Sequence, residues 1–145
     1  MNLIEAEILA KELIEKYCPE YTFKWARGKG LFGYCNTRKK EISLSALLVG
    51  LNSLEQVTDV ILHEIAHALC PKDHHNRNWQ KTALSIGCNG RRTYGDEVIT
   101  PKPKWIGTCP KCGRTILRNN RKNISCGKCS TLYSEDLRFT FVKNL

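Results

Sequence analysis

Two histidines four residues apart, the first followed at once by a glutamate, are the chain's clearest chemical signal. His63-Glu64-Ile65-Ala66-His67 spells H-E-x-x-H inside an apolar, helix-patterned stretch. Imidazoles at this spacing sit one turn apart on one helix face and can bind a single Zn²⁺. Glu64 is poorly placed as a further ligand from the same turn and well placed to take a proton from a water that the metal activates. Three protein ligands and an open position make a catalytic zinc site, so a third ligand is required. The pattern H-E-x-x-H-x-x-G-x-x-H would put Gly at position 70 and His at 73, where the chain has Cys70 and Asp73. Glu97 is a remote carboxylate candidate. His74 and His75 are the nearest imidazoles, and Cys70-Pro71-Lys72-Asp73 would bring the chain back toward the metal. The residues themselves leave these three open.

A second metal pattern lies near the C-terminal end. Cys109-Pro-Lys-Cys112 and Cys126-Gly-Lys-Cys129 are separated by thirteen residues, with glycine after or inside each pair. Paired C-x-x-C of this spacing reads as a zinc ribbon. Four thiolates close the coordination shell, so this zinc is expected to be structural. The other four cysteines, Cys18, Cys35, Cys70 and Cys88, stand singly and read as small buried hydrophobes. A disulfide scaffold is the weaker reading of the eight, given the spacing and the reducing compartment inferred below.

Charge divides the chain unevenly. Residues 1–100 hold 13 Lys+Arg against 12 Asp+Glu; residues 101–145 hold 10 against 2, so the last third carries +8 of the formal +9. Such asymmetry is the footprint of a nucleic-acid-binding module joined to something else. Arg114, Arg118, Arg121 and Lys122 cluster between the cysteine pairs, with Asn119 and Asn120 read as a hairpin tip. These side chains suit phosphate contacts better than base reading, and Tyr133 and Phe139 are candidates to stack on bases. The N-terminal segment lacks a basic, apolar signal-peptide pattern, and no run approaches the length of a membrane span. The expected location is cytoplasmic, or nucleoid-associated in a bacterium, with no membrane partner.

The elements that must position these groups follow from hydrophobic period. Residues 3–17 form an amphipathic helix ended by Pro19. Residues 21–26 alternate as a strand, Gly28-Lys29-Gly30 turns, and two short strands, 33–36 and 41–44, flank the basic turn Thr37–Lys40. A helix capped by Ser53, with Gln56 completing a capping box, carries the H-E-x-x-H to Leu69. Another helix runs from about Arg77 to Ile86 and is closed by Gly87. Thr100-Pro101-Lys102-Pro103-Lys104 is a stiff linker. The chain is thus expected to be α+β, with domains at 1–100 and 101–145.

At His75-Asn76-Arg77-Asn78-Trp79 the sequence resembles the H-x-x-x-W element that follows H-E-x-x-H in SprT-like (Spartan-type) zinc metalloproteases. Gly33–Cys35 through Ile42–Ser45 resembles that family's strand pair, and Lys104–Gly113 the opening of its C-terminal zinc ribbon. The resemblance implies a small zincin-like metalloprotease domain followed by a β-rich zinc ribbon. It also selects His75 over His74 as third ligand, so that His63, His67 and His75 hold a catalytic Zn²⁺ with Glu64 as base, while Cys109, Cys112, Cys126 and Cys129 hold a structural one. Asn76 stands where the family often has Gly, a change that asparagine's tolerance of unusual backbone angles should absorb. Trp79 is expected to pack beneath the site. The strand 41–45 is a candidate sheet edge for an extended peptide.

The function implied is a metalloendopeptidase, brought to DNA by the ribbon, that cuts proteins bound or crosslinked there. Two other readings stand beside it: a non-catalytic nucleic-acid-binding protein with the first domain as scaffold, and a peptidase whose basic tail docks an acidic partner.

Overall fold

The computed structural model describes residues 1–95 and 97–145. The chain forms two compact units, Met1–Thr100 and Pro101–Leu145. The fold is α+β, with the α-helices in the first unit and a three-stranded sheet in each.

The first unit opens with α1 (Leu3–Tyr17), whose N-terminus is capped by the Asn2 side chain accepting from the Ile4 N–H at 2.8 Å. Its buried stripe, Ala6, Ala10 and Ile14, has the four-residue spacing of one helix face. Then come β1 (Thr22–Ala26), β2 (Gly33–Asn36) and β3 (Glu41–Ser45). β2 and β3 form the hairpin that their alternation predicts; β1 lies parallel to β3 on its other side. The order is therefore β1-β3-β2. This corrects the expectation for residues 41–45: β3 is the central strand, with its backbone groups spent on both neighbours, and β2 is a free edge.

Ser45 ends β3 and caps the short α2 (Ala46–Leu51), its hydroxyl accepting from the Leu48 N–H. This helix was not expected, because six residues containing Gly50 give no readable period. The central element is α3 (Leu54–Leu69), started by the capping box of Ser53 and Gln56. Every residue from Val60 to Ala66 on it is buried. A helix apolar on all sides needs cover on all sides; α1, β2, β3 and α4 (Arg77–Ser85) supply it. The approach of β2 is close: a Cβ on Gly33 would lie 2.8 Å from Val60 Cγ1 and 3.0 Å from Glu64 Cγ.

The second unit is a three-stranded antiparallel sheet of β4 (Trp105–Thr108), β5 (Thr115–Arg118) and β6 (Thr140–Lys143), in the order β5-β4-β6. Its core is small: Cys109, Ile116, Cys126 and Phe139. Two expectations are corrected here. The tip of the β4–β5 hairpin is the first cysteine loop, residues 109–114, whereas Asn119 and Asn120 form a bend after β5. Phe139 is 6% exposed and belongs to the core, so it offers no face to a base. Among the described residues no helix is long and apolar enough to cross a membrane.

Because the β2–α3 contact leaves no room at Gly33, Gly33→Ala should destabilise the protein by about 1–3 kcal/mol through overpacking, as read by denaturant unfolding. An unchanged midpoint would show that β2 can move off the helix freely.

Candidate metal centres

His63 and His67 project from α3 at the one-turn spacing of their motif. The third imidazole comes from the connection 70–76, where His75 has a left-handed backbone, φ 52°. Asn76 itself is extended (φ −81°) and acts as the N-cap of α4, its Oδ1 accepting from the Trp79 N–H at 3.1 Å. Its Nδ2 donates to Asp73 Oδ1 at 2.6 Å. The unusual backbone angle thus falls one residue earlier than the sequence suggested, and asparagine is suited to position 76 as a cap.

The Nε2 atoms converge: His75 lies 3.0 Å from His67 and 3.1 Å from His63. A tetrahedral zinc with Zn–N near 2.0–2.1 Å sets its nitrogens about 3.3 Å apart, so the donor set fits zinc with a small expansion. Burial, then the charges of His67 and His75, push His63 down to about 4, against a hydrogen bond to the Arg91 backbone. Burial, then His75 and His74, push His67 to about 4 as well. His75 is lowered by burial and by Arg92 and His74. Three imidazoles that stay unprotonated at neutral pH present free lone pairs to a cation. Beneath them Trp79 is 1% exposed, with ring centroids 4.7, 5.3 and 4.6 Å from His63, His67 and His75. Its Nε1 is a buried donor without a partner among the described residues.

Glu64 is 5% exposed, and burial raises its carboxyl to about 8. It lines the same cavity as the three imidazoles, about 790 Å³, whose rim carries Arg38, Lys39 and Arg92. His74 lines that cavity but is exposed and outside the converging set. Glu97 pairs with Arg91 at 2.6 Å and is likewise outside it. Tyr94 is a cavity residue that the motifs did not reveal. Its ring lies 6.2 Å from that of His63 and 5.5 Å from Phe32, and the Gly33 backbone hydrogen-bonds to it. The available signal was a lone aromatic in the polar, glycine-punctuated stretch 87–95.

In the second unit Cys109 Sγ lies 3.9 Å from Cys129 Sγ, and Cys112 Sγ 3.7 Å from Cys126 Sγ. A Zn–S distance of 2.3 Å gives a tetrahedron edge of about 3.8 Å; a disulfide would need about 2.05 Å. The Cys112 backbone N–H lowers the Cys109 thiol against the effect of burial, with help from Lys111. Gly113, at φ 74°, lets the loop fold back so that its N–H reaches the Cys109 carbonyl at 3.0 Å. The four thiols therefore suit a closed metal site.

Arg114, Arg118, Arg121 and Lys122 are all exposed. The structure adds Trp105, which the sequence reading did not weigh: the Arg121 guanidinium lies 4.7 Å over its ring. Trp105 also stands in register between Arg118 and Lys143, so the three share a sheet face. Of the single cysteines, Cys18 and Cys88 are buried, whereas Cys35 and Cys70 are only partly so.

Residues 6–98 of the 145 match the SprT-like family. Among solved structures, the chain is similar to the metallopeptidase zymogen of Pyrococcus abyssi abylysin, with 15% identity, coverage of 59% of this chain and 79% of that chain, and a TM-score of 0.46. No curated protein matches the sequence.

The shifts at the first centre give the metal-free protein opposing pH limbs. His63 and His67 titrate near 4 when folded against 6.5 ordinarily, so their contribution is present above 6.5 and lost as pH falls toward 4. Glu64 titrates near 8 against 4.5, so its contribution is present below 4.5 and lost as pH rises to 8. Thermal unfolding in chelator should peak near pH 6.5, and Glu64→Gln should abolish the alkaline decline. A decline that survives in Glu64→Gln would place its origin elsewhere.

Proposed function

The chain belongs to the SprT-like family, and we propose that it is a zinc metalloendopeptidase of the H-E-x-x-H type, with a small zincin-like first unit, acting on DNA-associated proteins. The observation that carries the reading is the convergence of three imidazoles beside a buried glutamate on one open cavity. His63, His67 and His75 would hold the ion. Zinc bound there supplies Lewis-acid polarisation and brings a water's pKa toward neutrality. Glu64 does the proton work. A neighbouring dication favours its carboxylate, which takes a proton from the attacking water and passes it to the leaving amine. The free edge of β2 beside the cavity offers main-chain groups to an extended peptide, so flexible or unfolded segments suit it.

For the second unit the reading is a structural zinc held by Cys109, Cys112, Cys126 and Cys129, with DNA contact through Arg114, Arg118, Arg121 and Lys122. Its support is the net charge of the unit and the exposure of all four side chains. Trp105 under Arg121 adds a stacking surface of the kind that single strands use. A DNA-bound or DNA-crosslinked protein would then be the substrate. A mere scaffold gains nothing from Glu64, because burial in the cavity wall raises its carboxyl and works against its charged form.

The zinc-loaded protein should contain two zincs per chain and cleave a DNA-binding protein faster when single-stranded DNA is present. Glu64→Gln should keep both metals and lose about 10²–10⁴-fold in rate. Alanine at Arg114, Arg118, Arg121 and Lys122 together should remove the stimulation by DNA and flatten the salt dependence of binding. DNA binding without any cleavage by the two-zinc protein would return the first unit to a scaffold.

A further inference from the structure

Beside the catalytic cavity lies a second hollow of about 390 Å³, bounded by Ala26, Gly28, Gly30, Leu31, Tyr34 and Ser43. The two share Leu31, Gly33 and Tyr34 as a common wall. Among the described residues no Asp, Glu, Lys, Arg or His lines the smaller one. Its character is therefore apolar, in contrast to the cationic rim around the imidazoles.

The hollow is held in shape. Ser45 ties the loop before β2 at two points: its hydroxyl donates to the Gly28 carbonyl at 2.6 Å, and its N–H to the Phe32 carbonyl at 2.8 Å. Phe32 is anchored in the core at 2% exposed, yet its neighbour Leu31 is left 64% exposed and Tyr34 52%. Two large apolar side chains thus stand in water on a tethered segment. Gly28 and Gly30 keep the space between them open: a Cβ at either would meet nothing within 4 Å, and neither has a left-handed backbone that demands glycine.

Strand alternation connects the hollow to a bound peptide. Tyr34 is paired with Ser43, so both point to one face of the sheet; Gly33, next along, faces Val60 and Glu64 on the other. A peptide lying along the free edge of β2 would send alternate side chains to the Tyr34–Ser43 face, where the hollow is. We propose that this hollow is a specificity subsite that takes one large apolar side chain, of leucine or phenylalanine size, from the extended peptide substrate. The inference rests on the peptidase reading and adds a sequence preference to it.

The test separates binding from hydrolysis. Fluorescently labelled peptides that differ at one position (Leu, Phe, Ala or Asp), scanned along the peptide, are titrated by anisotropy onto the full-length, zinc-loaded Glu64→Gln protein. At one position Leu and Phe should bind roughly 10- to 50-fold more tightly than Ala, the range for burying such a side chain, and Asp should bind more weakly still. In the same background Gly30→Phe, which fills the hollow, and Leu31→Asp, which makes its wall polar, should each bring the Leu-to-Ala ratio close to one. Thermal unfolding and zinc content verify that each variant is folded, and either variant alone suffices. Equal affinity for all peptides, no peptide binding, or a preference that survives in a folded variant overturns the subsite. Hydrolysis of the same peptides by the protein with Glu64 intact is scored separately. Cleavage without preference sinks the subsite alone, whereas selective binding without cleavage sinks the peptidase reading alone.

Discussion

One helix has to be buried on every side over two turns and still carry an imidazole and a carboxyl there, with a second, half-buried imidazole just beyond. From Val60 to Ala66, α3 has no solvent face, so each polar group on that stretch must be matched by its surroundings or held uncharged. His63 and His67 are kept neutral and aimed at a third imidazole; Glu64 opens onto the cavity beside them. The rest of the first unit can be understood as cover for this helix. Alanines on α1 bring one neighbour in, Gly33 admits β2, and Trp79 on α4 closes the floor beneath the imidazoles.

The second unit solves the opposite problem. Its core holds four buried residues, two of which are cysteines, and so small a cluster cannot by itself offset the chain entropy of some forty residues. A cation held by the four thiols, which stand at tetrahedral separations, would supply the missing cohesion. In the first unit the core positions the metal ligands; in the second, the metal ligands serve as much of the core.

Most of the first site was legible because its residues lie close together in the chain. The 3.6-residue period, the Ser53–Gln56 box and the spacing of His63, Glu64 and His67 all speak within one helix. His75 was harder, since its place depends on a turn whose left-handed residue is the histidine itself, where the sequence drew attention to Asn76. Tyr94 and the free edge of β2 were not legible at all. Which strand lies at an edge depends on where β1 pairs, and that parallel pairing joins segments separated by the whole β2 hairpin. Likewise Phe139 and Tyr133 are aromatic residues six positions apart in one short segment; only the closing of the ribbon decides that Phe139 turns inward while Tyr133 stays 56% exposed.

The origin of the third imidazole divides the metal-binding set into a rigid part and a movable one. His63 and His67 ride on a helix packed on all sides, whereas His75 sits in the connection 70–76 with a backbone that a non-glycine residue adopts at a cost. The two helical ligands are thus a preformed jaw, and the turn is the clasp that shuts on it. Opening the clasp requires only a local backbone change and leaves α3 intact. An ion bound there would accordingly owe its lifetime to the turn and its Asn76–Asp73 tie, and its exchange would be a local event that proceeds without unfolding.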